Sequence, residues 1–160
     1  MEFNIRKHKP GDIGWIISMH GEIYIEEFNF DPNFEIHIAN KFVHFFRKEK
    51  SSFDTVFICE TDEERVGSIA ISNISDTKAF INFVLISPKY RGNGISRTLL
   101  DVVIQHCRNH HYKSIELETY DLLKSARNLY DQYGFTIKTV HKNVELFGQT
   151  MDQEFWEMRL

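Results

Sequence analysis

Cysteine is scarce in this chain. The two that occur, Cys59 and Cys107, sit within apolar patterns and show no CxxC or other paired spacing. That excludes a disulfide framework and suits a reducing compartment, the cytoplasm. Charge of one sign is also lacking: 19 Lys and Arg against 23 Asp and Glu leave a formal net charge of -4, so no nucleic-acid-binding surface is expected. No apolar run approaches the roughly 20 residues of a membrane span, and the opening MEFNIRKHKPGD lacks the pattern of a signal peptide. Repeats, low-complexity tracts and linkers are absent as well. A chain of 160 residues, 42% of them hydrophobic, is then expected to form one soluble domain, residues 1–160.

What is present is hydrophobic periodicity of two kinds. FNIRKH (residues 3–8) alternates apolar and polar residues as a half-buried strand does. Pro10-Gly11-Asp12 breaks it, and Asp12 is placed to cap a following helix. Along that helix Ile13, Ile16, Ile17, His20, Tyr24 and Glu27 share one stripe that begins apolar and ends polar. FEIHIANKFVHFFRKEK reads as a second helix, its basic end suited to a helix C-terminus. Three strand-like runs follow, FDTVFICET, RVGSIAIS and KAFINFVLIS, joined by the short polar turns DEE and NISDT. The spacing next predicts a helix over 95–111 with Ile95, Leu99, Val102, Val103 and Cys107 inward, then the strand SIELETY. The segment DLLKSARNLYDQYG reads as a helix between Asp121 as N-cap and Gly134 as its stop. Two last strands, FTIKTVHKNVELFG and EFWEMRL, complete a mixed α/β chain.

The stretch YRGNGIS (residues 90–96) lies between the strand ending in Ser87-Pro88 and the helix starting near Gly94. Unpaired N–H groups at a helix N-terminus carry partial positive charge and suit a phosphate. Glycine admits close approach of a ligand to the backbone, and Arg91 adds a fixed cation. Taken alone, the same GxG pair also fits an ordinary tight turn. The GxxxxGK[ST] of a P-loop is missing, and so is a full GxGxxG in a βαβ setting, which speaks against a nucleoside triphosphatase or a Rossmann cofactor site.

Two segments together resemble the GNAT superfamily of acetyl-CoA-dependent N-acetyltransferases. Its [QR]-x-x-G-x-[GA] signature stands here as Arg91-Gly92-Asn93-Gly94-Ile95-Ser96, with serine at a position usually held by glycine or alanine. Its A-x-x-L-Y-x-x-x-G-F helix stands as Ala126, Leu129, Tyr130, Gly134 and Phe135, with Leu123 where an asparagine is often found. The segments PGDIGWIISMHGEIYIEEFNFDPNFE and ELFGQTMDQEFWEMRL look like the acetyltransferase domain found fused to MarR-type regulators, without room for the DNA-binding part.

The resemblance implies a mixed, mostly antiparallel and splayed sheet flanked by about four helices. The strands INFVLIS and SIELETY would part into a cleft, and the pantetheine arm would add a pseudo-strand along Val84, Leu85 and Ile86. The pyrophosphate would rest on residues 91–96, with Ala126 beside the cofactor. Tyr130 matches the superfamily's general acid toward the coenzyme A thiolate.

The general base is less plain, because the strand that often supplies a glutamate offers Asn82. Glu27, grouped with His20 and Tyr24 on the first helix, is the expected carboxylate on the acceptor side, with Glu118 a lesser candidate; Glu27 and His20 also fit structural roles. His106 and His110 stand four apart but lack a carboxylate or second pair at fixed spacing, so no metal is expected. The function expected is acetyl transfer to a primary amine of a small molecule or peptide. An acetyl-CoA-binding sensor of little activity is the alternative. Glu22, Glu26, Glu27 and Asp31 hint at a cationic acceptor, and FVHFF with Phe155 and Trp156 can pack internally or form a homodimer face.

Overall fold

A computed structural model describes residues 1–49 and 51–160. The alternation at the N-terminus forms strand β1 (Asn4–Lys7), followed by helices α1 (Asp12–Phe28) and α2 (Asn33–Arg47). The apolar runs form β2 (Thr55–Glu60), β3 (Arg65–Asn73) and β4 (Lys78–Ile86). After the glycine loop come α3 (Ile95–Asn109), β5 (Ser114–Tyr120), α4 (Lys124–Gln132), β6 (Thr136–Leu146) and β7 (Gln149–Arg159). The basic run expected to finish the second helix closes at Arg47, and Lys50 lies outside the described residues.

The strands make one seven-stranded sheet in the order β1-β2-β3-β4-β5-β7-β6. Every neighbouring pair is antiparallel except β4 and β5, which run parallel and meet over only three pairs, Lys78 with Ser114, Ala79 with Ile115 and Phe80 with Glu116. Beyond Phe80 and Glu116 the two strands part. The expected splayed, mostly antiparallel sheet is thus the observed one.

Period-two alternation in β2 sends Val56 and Ile58 to one face and Phe57 and Cys59 to the other. The first face packs against α1 and α2 through Ile16, Phe34, Ile38, Phe42 and Phe45. The second packs against α3 and α4 through Leu99, Leu100, Val103, Cys107 and Tyr130. FVHFF divides accordingly: Phe42 and Phe45 are buried while Val43 and Phe46 stay at the surface. Trp156 also belongs to the interior. Strand β6 is an edge, paired only with β7, with register shifts at Ile137/Thr139 and His141/Val144 and most of its residues exposed. Among the described residues no helix is long and apolar enough to cross a membrane.

Two expected caps are built differently. Asp12 begins α1 but makes no capping bond; Gly11, in the left-handed region, holds the cap position. The Asp12 carboxylate is instead fully buried, accepting from Arg6 Nη1 at 2.6 Å, Arg65 Nε at 2.6 Å and the Lys9 N–H at 2.7 Å. Asp121 likewise precedes α4 without capping it: Leu123 occupies the cap, and Asp121 accepts the Asp152 N–H at 2.8 Å. Gly134 ends α4 at φ 92°, as expected.

Burial pushes the Asp12 carboxyl up, but the bonds from Arg6, Lys9 and Arg65 outweigh it and hold the group well below the usual carboxylate range. A depressed native pKa contributes stability that is full above the unfolded value of 3.8 and is lost as pH falls below it. Asp12→Ala is expected to lower the unfolding free energy by about 3 kcal/mol, because it leaves Arg6 and Arg65 without their buried partner. Urea titration at neutral pH checks the loss, and titrations between pH 5 and 2 should show a shallower acid slope than wild type.

Candidate active site

The parting of β4 from β5 is reinforced by a bulge. Ser68 of β3 faces Leu85 and Ala70 faces Asn82, so Phe83 and Val84 together oppose Ile69. Phe83 takes the left-handed region at φ 54° without being glycine. Two contacts hold it there: its carbonyl accepts the Ser68 hydroxyl at 2.7 Å, and its ring stacks on Phe42. The end of β4 from Ile81 onward consequently presents one main-chain edge that β5 does not pair.

The loop after β4 is anchored by Tyr90, a buried residue whose hydroxyl donates to Glu64 in the turn between β2 and β3. Gly92 and Gly94 have φ of 80° and 76°, and a Cβ on either would meet no atom within 4 Å. Backbone conformation, not crowding, therefore calls for glycine there. Gly94 is the N-cap of α3 and no side chain caps that end, so its first N–H groups remain available to an anion. Asn93 does not line the adjoining cavity; its amide braces the loop by donating to the Tyr90 carbonyl at 2.9 Å.

Two cavities flank the parted strands. The larger, about 590 Å³, is lined by Val84, Leu85, Ile86, Arg91, Gly92, Gly94, Ile95 and Ser96 on one side and by Leu122–Ala126 and Leu129 on the other. The smaller, about 130 Å³, lies against α1, α2 and β5 and is lined by His20, His37, Lys41, Asn82, Glu118 and Thr119 among others. Five residues border both: Tyr24, Val84, Leu123, Ala126 and Tyr130. The larger cavity, with its uncapped helix end, free strand edge and cation, fits a long ligand carrying a phosphate group.

Tyr130 is buried, its ring edge-on to Phe135 and Trp156. Burial, with a smaller contribution from Tyr24, pushes its hydroxyl well above the usual tyrosine range, so it keeps its proton. Burial likewise pushes Tyr24 up to about 12. His20 is a packed histidine: Nδ1 lies 2.8 Å from the Ile16 carbonyl, and burial lowers its pKa to about 4.

Glu27 departs from its expected place. It forms a two-point pair with Arg91, with Nη2 2.7 Å from Oε2, and lines the larger cavity rather than the smaller. The Arg91 hydrogen bonds hold its carboxyl below the usual range. Glu22, Glu26 and Asp31 line neither cavity: the two glutamates are exposed, and Asp31, half-buried, accepts the Asn33 N–H at 2.9 Å at the start of α2.

The carboxylate in the smaller cavity is Glu118, whose Oε1 accepts from Gln153 Nε2 at 2.7 Å and the Tyr120 hydroxyl at 3.2 Å. His106 stacks on Phe53 with Nε2 2.8 Å from its carbonyl. No group of three metal-ligating side chains occurs among the described residues.

A family model, the Acetyltransferase (GNAT) family, matches residues 16–135. The chain belongs to that family. An uncharacterized N-acetyltransferase of Methanocaldococcus jannaschii is 31% identical over 99 residues, a stretch covering 58% of this chain and 44% of that protein. The chain thus spans less than half the length of that curated relative. Among solved structures, the ribosomal-protein-alanine N-acetyltransferase of Brucella melitensis superposes with a TM-score of 0.78 at 18% identity, covering 98% of this chain and 99% of the other. The structure of yncA from Salmonella typhimurium with its cofactor acetyl-CoA superposes with a TM-score of 0.77 at 16% identity, covering 99% and 94%. These structures share the GNAT fold.

Lys41, His37 and Thr119 escaped sequence reading because they belong to neither GNAT signature and come together only around the smaller cavity. The bulge in this GNAT sheet yields a test of its own. Ser68→Ala leaves the buried Phe83 carbonyl without its donor and is expected to cost about 1–2 kcal/mol. Chemical denaturation measures the cost, and faster amide exchange confined to residues 82–86 would localise it to the bulge.

Proposed function

We propose that residues 1–160 form one acetyltransferase domain that moves an acetyl group from acetyl-CoA directly to a primary amine of a small molecule or peptide. The observation that carries this reading is the meeting of two cavities at Tyr130, one fitted to an anionic arm and the other holding a carboxylate. Acetyl-CoA supplies a thioester whose carbonyl carbon an amine attacks, with a thiolate as leaving group.

The residues of the chain divide that work. Arg91 and the first N–H groups of α3 hold the pyrophosphate, and the free edge of Val84–Ile86 aligns the pantetheine arm. Ser96 lines the same cavity and offers a hydroxyl at the helix end. Ala126, small and shared by both cavities, leaves room for the arm to reach the junction. Tyr130, kept protonated by its surroundings, delivers a proton to the leaving sulfur. Glu118 accepts the proton that the attacking ammonium must lose, a step required because amines of this kind titrate near pH 10. Glu27 takes a different part from the one first expected, fixing the Arg91 fork. Tyr24 walls the junction, and His20, neutral and packed, shapes the acceptor side without proton transfer.

Asn82, which puts an amide rather than a carboxylate on the β4 side of the smaller cavity, favours a second reading, a sensor that binds acetyl-CoA and turns over little. Coenzyme A release with a panel of amines separates the two. Tight acetyl-CoA binding with no amine ever consumed would sink the enzyme reading.

Tyr130→Phe is expected to lower kcat about 100-fold while acetyl-CoA binding stays within about twofold, and Glu118→Gln to lower kcat/KM for the amine by a similar factor. Undiminished turnover in either variant removes its assignment. Arg91→Ala should weaken acetyl-CoA binding about tenfold or more, with the loss shrinking at high salt. Calorimetry at two ionic strengths is the check.

A further inference from the structure

The smaller cavity holds charge of both signs. Lys41 projects from α2 into the space that also contains Glu118 from β5. Glu118 is already engaged by Gln153 and Tyr120. Lys41 takes part in none of the ion pairs formed by the described residues. Its ammonium lies 5.5 Å from the centre of the Phe83 ring, which covers it with an aromatic face rather than an anion. Burial lowers its pKa, and the Glu118 charge acts in the opposite sense. A half-buried ammonium without an anion is costly, since it loses water and gains no ion pair. Thr119 adds a second open valence, because its buried hydroxyl oxygen has no hydrogen-bond partner among the described residues.

His37 and His20 also border the cavity, and burial shifts both toward the neutral form. The formal charges left to meet an acceptor are therefore Lys41 and Glu118. A simple polyamine would satisfy the carboxylate and be repelled by the lysine. An amine that carries its own carboxylate a few bonds away satisfies both, and a cavity of about 130 Å³ suits a small one.

We infer that the acceptor is a small amino acid, its amino group directed to Glu118 and Tyr130 and its carboxylate paired with Lys41, an inference that rests on the acetyl-transfer reading above. Transfer converts the zwitterion to an N-acetyl carboxylate. Glu118 takes the ammonium proton, and the freed nitrogen forms a bond to the acetyl carbon as the carbon–sulfur bond breaks. The sulfur receives a proton from Tyr130. The second proton the nitrogen sheds on becoming an amide restores that of Tyr130, so that one proton is released in net from Glu118 to solvent. The carboxylate on Lys41 is unchanged throughout, so Lys41 is a binding and specificity residue.

The test compares amino acids with their own amides, for example alanine, serine and methionine against the corresponding carboxamides, in a coenzyme A release assay. Wild type should favour the acids in kcat/KM by about tenfold or more, the range expected for one charge-assisted contact. Lys41→Met should collapse that ratio toward one through KM, and Lys41→Arg should restore part of it. A wild-type ratio near one, or a ratio that survives in Lys41→Met, overturns the inference while leaving acetyl transfer intact. If no amine is consumed at all, the acetyl-transfer reading fails instead. The same acid and amide pairs, titrated against the coenzyme A-loaded protein by saturation-transfer NMR, then decide the carboxylate site separately. Acid-selective binding lost in Lys41→Met supports it, and equal binding of both partners overturns it.

Discussion

Three parallel residue pairs between β4 and β5 are the constraint on which the rest of the molecule depends. Each half of the sheet is otherwise a run of antiparallel neighbours, and only Lys78–Phe80 against Ser114–Glu116 joins them. A longer seam would pair the main chain of Val84–Ile86 and close the space between the strands. A seam absent altogether would leave two sheets with no fixed relation. The bulge at Phe83 makes the short seam permanent, because the extra residue turns the end of β4 away from β5 and fills the left-handed conformation with a ring stacked on Phe42.

The charges follow the same division. On the closed half, the fully buried Asp12 gathers the partly exposed Arg6 and Arg65 and ties the start of α1 to β1 and β3. On the open side, Glu27 and Arg91 form a more exposed pair on the wall of the larger cavity. The two pairs have like chemistry and unlike consequences, since solvent access sets how readily each can exchange partners.

Much of this was legible in the sequence, and the parts that were not share a cause. Strands β2 to β5 announce themselves by β-branched and aromatic runs between polar turns, and the glycine loop with the Tyr130 helix carries both signatures of the family. The cap roles of Asp12 and Asp121 were misread because short-range rules assume the nearest helix end is a carboxylate's best partner. In the fold, Arg65, 53 residues from Asp12, and the Asp152 N–H, 31 residues from Asp121, were better ones. Glu27 was assigned to the acceptor side from its helical stripe, yet Arg91, 64 residues away, claims it. Phe83 gave no sign of its conformation because the residue at a bulge need not be glycine when tertiary contacts over-determine it. Periodicity reports which face a residue is on; it says nothing of which distant group meets it there.

The free side of β6 has a consequence for how the protein lives in a crowded solution. A long edge strand with Ile137 and Val140 exposed offers its backbone to any neighbouring strand. Its two interruptions fall where Lys138 and Lys142 stand, and Asn143 there adopts φ 54°. A strand that breaks its own rhythm beside two lysines cannot template a straight partner, so the sheet is protected against growing from one molecule into the next.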